Sequence, residues 1–192
     1  MRILVTGGAG YIGSVTTAHL LDRGHDVRVL DDLSTGHRPA VPSGAELVVG
    51  RIQDAAVLRR ALDAVDAVVH FASLSLVGES MQQPRHYFRE NVGAAIALLD
   101  GMDVAGVSRI VFSSTAAVYG EPAVDVIDED VALRPVNPYG HSKVMIERVL
   151  AEEARANGLS AMALRYFNAC GADGPRGEHH DPETHLIPRV CR

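Results

Sequence analysis

Tyr139 and Lys143 lie four residues apart in the segment NPYGHSK (137–143), and Lys143 is the single lysine among 18 cationic side chains, the rest being arginine. Four residues is about one helical turn, so both side chains project from one face of a helix that begins at Pro138. An unperturbed phenol titrates near ~10, too high for a base at neutral pH. A cation held beside it stabilises the phenolate and lowers that value. A compact ammonium on a flexible stem can do this while hydrogen-bonding other groups, which suits lysine better than arginine. The pair therefore reads as a proton-transfer device. The plain alternative is a surface lysine one turn from a partly buried tyrosine.

A second group with chemical meaning is VTGGAGYIG, which places Gly7, Gly10 and Gly13 directly after the first apolar run. Glycine lets the backbone turn sharply and approach a pyrophosphate, which then rests on the N-terminus of the following helix. The spacing is G-x-x-G-x-x-G, and its bland reading is a tight turn. The second apolar run ends in Asp31-Asp32, eighteen residues after Gly13. A carboxylate there accepts from both adenosine ribose hydroxyls and repels a 2′-phosphate, which favours NAD over NADP.

The elements that must position these groups alternate along the chain. Segments 2–6, 26–31, 46–50, 67–72, 109–114 and 160–167 are short apolar runs and read as strands buried on both faces. Segments 11–23, 54–64, 84–105 and 139–157 carry helical spacing; the last has Ile146, Val149, Leu150 and Ala154 on one stripe and Gly158 at its end. Such alternation predicts a parallel sheet with right-handed crossovers. Loops 32–45, 115–138 and 168–185 follow strand carboxyl ends, where open α/β sheets bind ligands. The second, with Pro122, Pro135 and Pro138, is long enough to suggest a functional role.

Composition narrows the classes. The 192 residues are 47% hydrophobic and 22% charged, enough for a real core. A net charge of −6 and no basic run beyond Arg59-Arg60 argue against a nucleic-acid partner. No apolar stretch nears the ~20 residues that span a bilayer. Cys170 and Cys191 are too few for a disulfide framework and suit a reducing, cytoplasmic location. Cys170 reads as a packing residue. His179, His180, Asp181 and His185 lie in a glycine- and proline-containing stretch without a thiolate, and read as solvated rather than as metal ligands.

The glycine loop, Asp31, Tyr139-x-x-x-Lys143 and FSSTAAVYGEP (112–122) together resemble the extended short-chain dehydrogenase/reductase superfamily. Within it, HFASLSLVGES (70–80), SSTAAVYG (113–120), NPYGHSK (137–143), LRYFNACGA (164–172) and PETHLIPR (182–189) resemble the UDP-glucose 4-epimerases. The resemblance runs from Met1 to Arg192. It implies an α/β fold, a Rossmann-like doubly wound parallel sheet that binds NAD. The implied reaction interconverts UDP-glucose and UDP-galactose at C4 through a 4-keto sugar. Alternatives are a 4-epimerase for UDP-glucuronate or UDP-N-acetylglucosamine, or an NAD-binding module without turnover.

By the same resemblance Gly7, Gly10, Tyr11, Ile12 and Gly13 would hold the pyrophosphate, and Asp31 with Asp32 the adenosine ribose. Phe71, Ala72 and Leu74 would line the dinucleotide cleft, and Asn91 would support it. Thr115 would bridge the sugar oxygen and Tyr139, the base. Lys143 would bind the nicotinamide ribose, and Phe167 would pack near the nicotinamide. Thr115, Ala116, Ala117 and Tyr139, with Asn168, His185 and Leu186, would meet the UDP-sugar substrate. Residues 1–192 would form one NAD-binding domain lacking the family's small C-terminal substrate lobe, and two copies would form a homodimer through helices 84–105 and 139–157.

Departures from the family pattern are informative. Ala116-Ala117 stand where nucleotide-sugar 4,6-dehydratases carry an Asp-Glu pair, so that elimination has no evident catalyst. Arg51 stands where the family has an aspartate that accepts from the adenine amine; arginine only donates, so the adenine contact is altered. Leu74 replaces a basic residue near the nicotinamide, which weakens retention of the cofactor.

Overall fold

The computed structural model describes residues 1–174, 176–179 and 186–190. Strand β1 (Arg2–Thr6) lies between β2 (Asp26–Asp31) and β4 (Ala67–His70), parallel to both. Beyond them, β3 (Glu46–Val49) pairs with β2, β5 (Arg109–Thr115) with β4, and β6 (Ser160–Tyr166) with β5. The order β3-β2-β1-β4-β5-β6 is the doubly wound arrangement expected, with the chain reversing direction across the sheet between β1 and β4.

Side-chain alternation sets the two faces. Leu4, Leu30, Val68, Ile110 and Phe112 point to one side, where helices α2 (Ala55–Leu62), α5 (Ala94–Ala105) and α6 (Pro138–Asn157) cover them with Leu58, Leu62, Leu98, Met102, Ile146 and Leu150. Ile3, Val5, Val27 and Val29 point the other way, towards Leu20 and Leu21 of α1 (Tyr11–Asp22). Strand β4 stops at His70 because the Phe71 and Ala72 N–H groups both turn to the carbonyl of Thr6, at 3.0 and 3.2 Å. Gly106 and Gly158 end α5 and α6 in the left-handed conformation, φ 70° and 72°.

Several expectations change. The predicted helix over 84–105 is broken into α4 (Pro84–Tyr87), a π-helical stretch Phe88–Gly93 and α5, and a short α3 (Val77–Gln82) precedes it. On α6 the buried face carries Ser142 and Lys143 beside Ile146 and Leu150, while Ala154 is exposed. Strand β6 is not buried on both faces: it is an edge strand, and Met162 is 60% exposed.

Arg28, in the middle of β2, is buried. Its guanidinium donates to the carbonyls of Arg60, Ala61 and Asp63 at 2.9–3.0 Å and to Glu46 at 2.7 Å. It thereby satisfies the open carbonyls at the end of α2. The 115–138 loop opens with a 3₁₀ turn, Ala116–Val118, and folds back over a small core of Val118, Tyr119 and Val144 with Ile127, Val131 and Leu133. A last short helix, α7, covers Leu186–Val190.

Candidate active site

A cleft of about 500 Å³ runs along the carboxyl ends of the strands. Gly7, Gly10, Gly13, Asp31 and Arg51 line one end, and Thr115, Tyr139 and Lys143 the other.

The first end is backbone. Gly7 takes φ +73°, and a Cβ there would meet the Ala72 nitrogen at 2.6 Å; one on Gly13 would meet the Gly7 carbonyl oxygen at 2.1 Å. The turn closes on itself, with α1 starting at Tyr11 and no side chain capping its N-terminus. Uncapped N–H groups beside side-chain-free backbone fit a pyrophosphate. Asp31 also builds the turn: its carboxylate accepts from the Ala9 and Leu33 N–H groups, both at 2.9 Å. Burial pushes its pKa up while those two N–H groups pull it down. Asp32 accepts from the Ser34 N–H at 3.0 Å and from its hydroxyl at 2.6 Å.

The other end is made of side chains from distant elements. Asn137 caps α6 by accepting from the Gly140 N–H at 2.8 Å, and Pro138 occupies the first turn. Gly140 lets the helix approach the 3₁₀ turn, since a Cβ there would meet the Ala117 oxygen at 2.7 Å. Thr115 accepts from the Ala117 N–H at 3.1 Å, and its hydroxyl faces the Tyr139 phenol closely enough to favour the ionised form. The Lys143 amine is buried, donates to the Ser113 carbonyl at 2.8 Å, and lies 4.8 Å from the Phe112 ring centre and 5.7 Å from that of Tyr139.

Burial dominates the electrostatics here. It pushes Lys143 down to about 7. It also pushes the Tyr139 phenol above its usual value, opposed by the Thr115 hydroxyl. The Lys143 charge is not among the influences on the phenol, which burial holds above its usual value. The same desolvation that raises the phenol also weakens the neighbouring ammonium. Behind Phe112, His70 accepts a place in the core as a neutral ring: burial, with the Lys143 charge second, pushes it down to about 3. Its Nδ1 is 2.6 Å from the Thr6 hydroxyl, and its ring stacks on Phe112 at 5.8 Å.

Of the sequence-derived candidates, Gly7, Gly10, Tyr11, Ile12, Gly13, Asp31, Asp32, Phe71, Ala72, Leu74, Thr115, Tyr139, Lys143, Phe167, Asn168 and Leu186 line this one cleft. Asn91 lies behind it, buried. Its side chain accepts from the Leu74 N–H at 2.9 Å and donates to the Leu74 carbonyl and the Ser142 hydroxyl at 3.0 and 3.1 Å. Ala116 and Ala117 are not lining residues; they form the turn that carries Thr115. Cys170 is exposed rather than packed. His180, Asp181 and His185 lie outside the described residues.

Sequence reasoning missed Gln53, Glu90, Ser113 and Tyr166, which also line the cleft. It also missed the clamp behind it. Glu147 takes both the Arg165 guanidinium, at 2.8 and 3.1 Å, and the Ser114 hydroxyl, at 2.5 Å. Arg165 reaches on to the Tyr119 hydroxyl at 2.8 Å. Only a one-turn spacing from Lys143 to Glu147 hinted at this.

Compared with known proteins, residues 3–192 match the NAD dependent epimerase/dehydratase family. The chain belongs to that family. It is 50% identical to the UDP-glucose 4-epimerase of Corynebacterium glutamicum over 192 residues, covering 100% of this chain and 58% of that protein. It is 49% identical to that of Streptomyces lividans over 194 residues, covering 100% and 59%. Among solved structures, the UDP-glucose 4-epimerase from Brucella ovis in complex with NAD superposes with a TM-score of 0.95 at 48% identity, covering 98% of this chain and 59% of that one. This family member thus spans about 58–59% of the length of those relatives.

Proposed function

We propose that the chain binds NAD along this cleft and interconverts UDP-glucose and UDP-galactose by epimerisation at C4. The observation that carries this reading is the convergence, in one cleft, of an uncapped glycine turn at one end with Thr115, Tyr139 and Lys143 at the other. The similarity to enzymes named for this reaction supports it. Bound NAD+ supplies the hydride acceptor, and a positive charge near the phenol that favours its ionised form.

Tyr139 takes the proton of the sugar 4-hydroxyl and later returns it. Thr115 accepts from the Ala117 N–H, and its own hydroxyl proton remains free to bridge the phenol oxygen and the sugar. Lys143 would hold the nicotinamide ribose, and the Ser113 carbonyl keeps its amine in place. The glycine turn, Lys143 and Phe167 would hold NAD+ to take a hydride from C4 as Tyr139 takes the proton, and to return it to the other face of the 4-keto sugar. Ala116-Ala117 bring no acid to eliminate water, in keeping with epimerisation rather than dehydration.

In this reading residues 1–192 are one NAD-binding unit working in the cytoplasm. Two copies pair through α5 and α6, whose outer faces expose Ile96 and Met145; sedimentation giving a dimer mass checks the pairing.

The test is conversion of UDP-galactose to UDP-glucose by the chain with NAD+ supplied. Tyr139→Phe should lower the rate by about 10²–10⁴-fold, the usual worth of general acid–base catalysis, with NAD+ affinity kept. Near-normal turnover in that variant sinks the role of Tyr139. NAD+ binding without any turnover in the unaltered chain sinks the epimerase reading and leaves a dinucleotide-binding module.

A further inference from the structure

Arg51, Gln53 and Glu90 form a polar cluster that the proposed reaction does not use. All three line the cleft, at the β3 side, with β2, β1 and β4 between them and the β5 end that carries Thr115. Arg51 comes two residues after the end of β3, next to Gly50, whose N–H donates to the Asp31 carbonyl at 3.0 Å. Glu90 arrives from the π-helical stretch, the same stretch that buries Asn91 behind the cleft. The Arg51 guanidinium and the Gln53 amide, the latter at 3.0 Å, both donate to Glu90 Oε2. The other carboxylate oxygen, Oε1, makes no hydrogen bond among the described residues. Its side chain is 19% exposed, against 54% for Arg51, so the acceptor is the shielded member of the pair.

A guanidinium can only donate and offers nothing to an exocyclic amine. The carboxylate it immobilises does. We propose that Glu90, held by Arg51 and Gln53, accepts a hydrogen bond from the 6-amino group of the adenine, so that the cleft selects a 6-aminopurine over a 6-oxopurine. The proposal rests on the NAD-binding reading above. With ribose and pyrophosphate pinned by Asp31 and the glycine turn, a 6-oxo ring would set its carbonyl lone pairs against Glu90. Moving to offer its N1–H instead would pull the ribose out of register.

The experiment is titration calorimetry of the full chain with NAD+ and with nicotinamide hypoxanthine dinucleotide, which differs only at that purine position. NAD+ should bind about tenfold or more tightly, the low end for a hydrogen bond to a charged acceptor. In Glu90→Ala the two dinucleotides should converge, NAD+ falling to the affinity of the analogue. Equal affinities in the unaltered chain overturn the proposal without any variant, and so does a preference that survives in Glu90→Ala. Failure of both dinucleotides to bind overturns the NAD-binding reading itself, and this proposal with it.

Discussion

At the Gly7–Gly13 end the cleft is backbone from one continuous stretch; at the Tyr139–Lys143 end it is side chains brought together from β5 and α6. The glycine turn needs little beyond its own residues, Asp31 and the close passage of Phe71-Ala72. The Thr115–Tyr139–Lys143 end depends on α6 being seated at the right height. Asn91 and Ser142 tie that helix to the π-helical stretch, and Glu147 ties it to Ser114 and Arg165. The first end fails through steric closure. The second fails through loss of polar partners.

Gly13→Ala should break this contrast most severely. Its Cβ would sit 2.1 Å from a backbone oxygen that has no rotamer to yield. Overpacking of this kind costs up to about 3 kcal/mol of stability, and because the displaced turn is the seat of the pyrophosphate, NAD+ affinity should fall with it. The measurement is a titration against the unaltered chain, and near-normal binding would show that the turn is softer than its packing.

Glu147→Ala tests the second end. It strands the Arg165 guanidinium, whose pKa that carboxylate raises, and leaves the Ser114 hydroxyl without its acceptor. The pair is partly exposed, at 22% and 10%. A loss of about 2–3 kcal/mol in urea unfolding is therefore expected, below the ~3–5 of a fully buried pair. Turnover should fall more than NAD+ affinity, because the damage lies at the Thr115–Tyr139 side.

A comparable effect is expected on pH dependence. Folded Lys143 titrates at about 7 against 10.5 for a free lysine, because of burial. Between those values the unfolded chain carries a proton that the folded chain has shed, so unfolding takes up a proton and stability rises with pH. The melting temperature should climb from pH 7 to 9 more steeply than in Lys143→Met. Parallel curves would mean that Lys143 keeps its charge in the folded chain.

How much of this was legible beforehand follows from the same contrast. The glycines, Asp31 and the Tyr139-x-x-x-Lys143 pair announce themselves by type and short spacing, and strands β1 and β2 were read to the residue. The depth of polar burial on α6 was not, because nothing in the spacing of Ser142 and Lys143 shows that Asn91 and the Ser113 carbonyl meet them. Glu147, Arg165 and Glu90 are common charged residues in helical or strand patterns, whose ordinary fate is a solvated face. The uncovered β6 was misread because apolar character marks a strand and does not say which neighbours lie beside it.

The order of strands and helices, the glycine turn and the presence of a tyrosine–lysine pair were determined by the sequence, through local backbone freedom and hydrophobic period. The charge state of that pair was decided only by the tertiary structure. Desolvation depends on everything packed around a group, and here it raises the phenol and lowers the ammonium together.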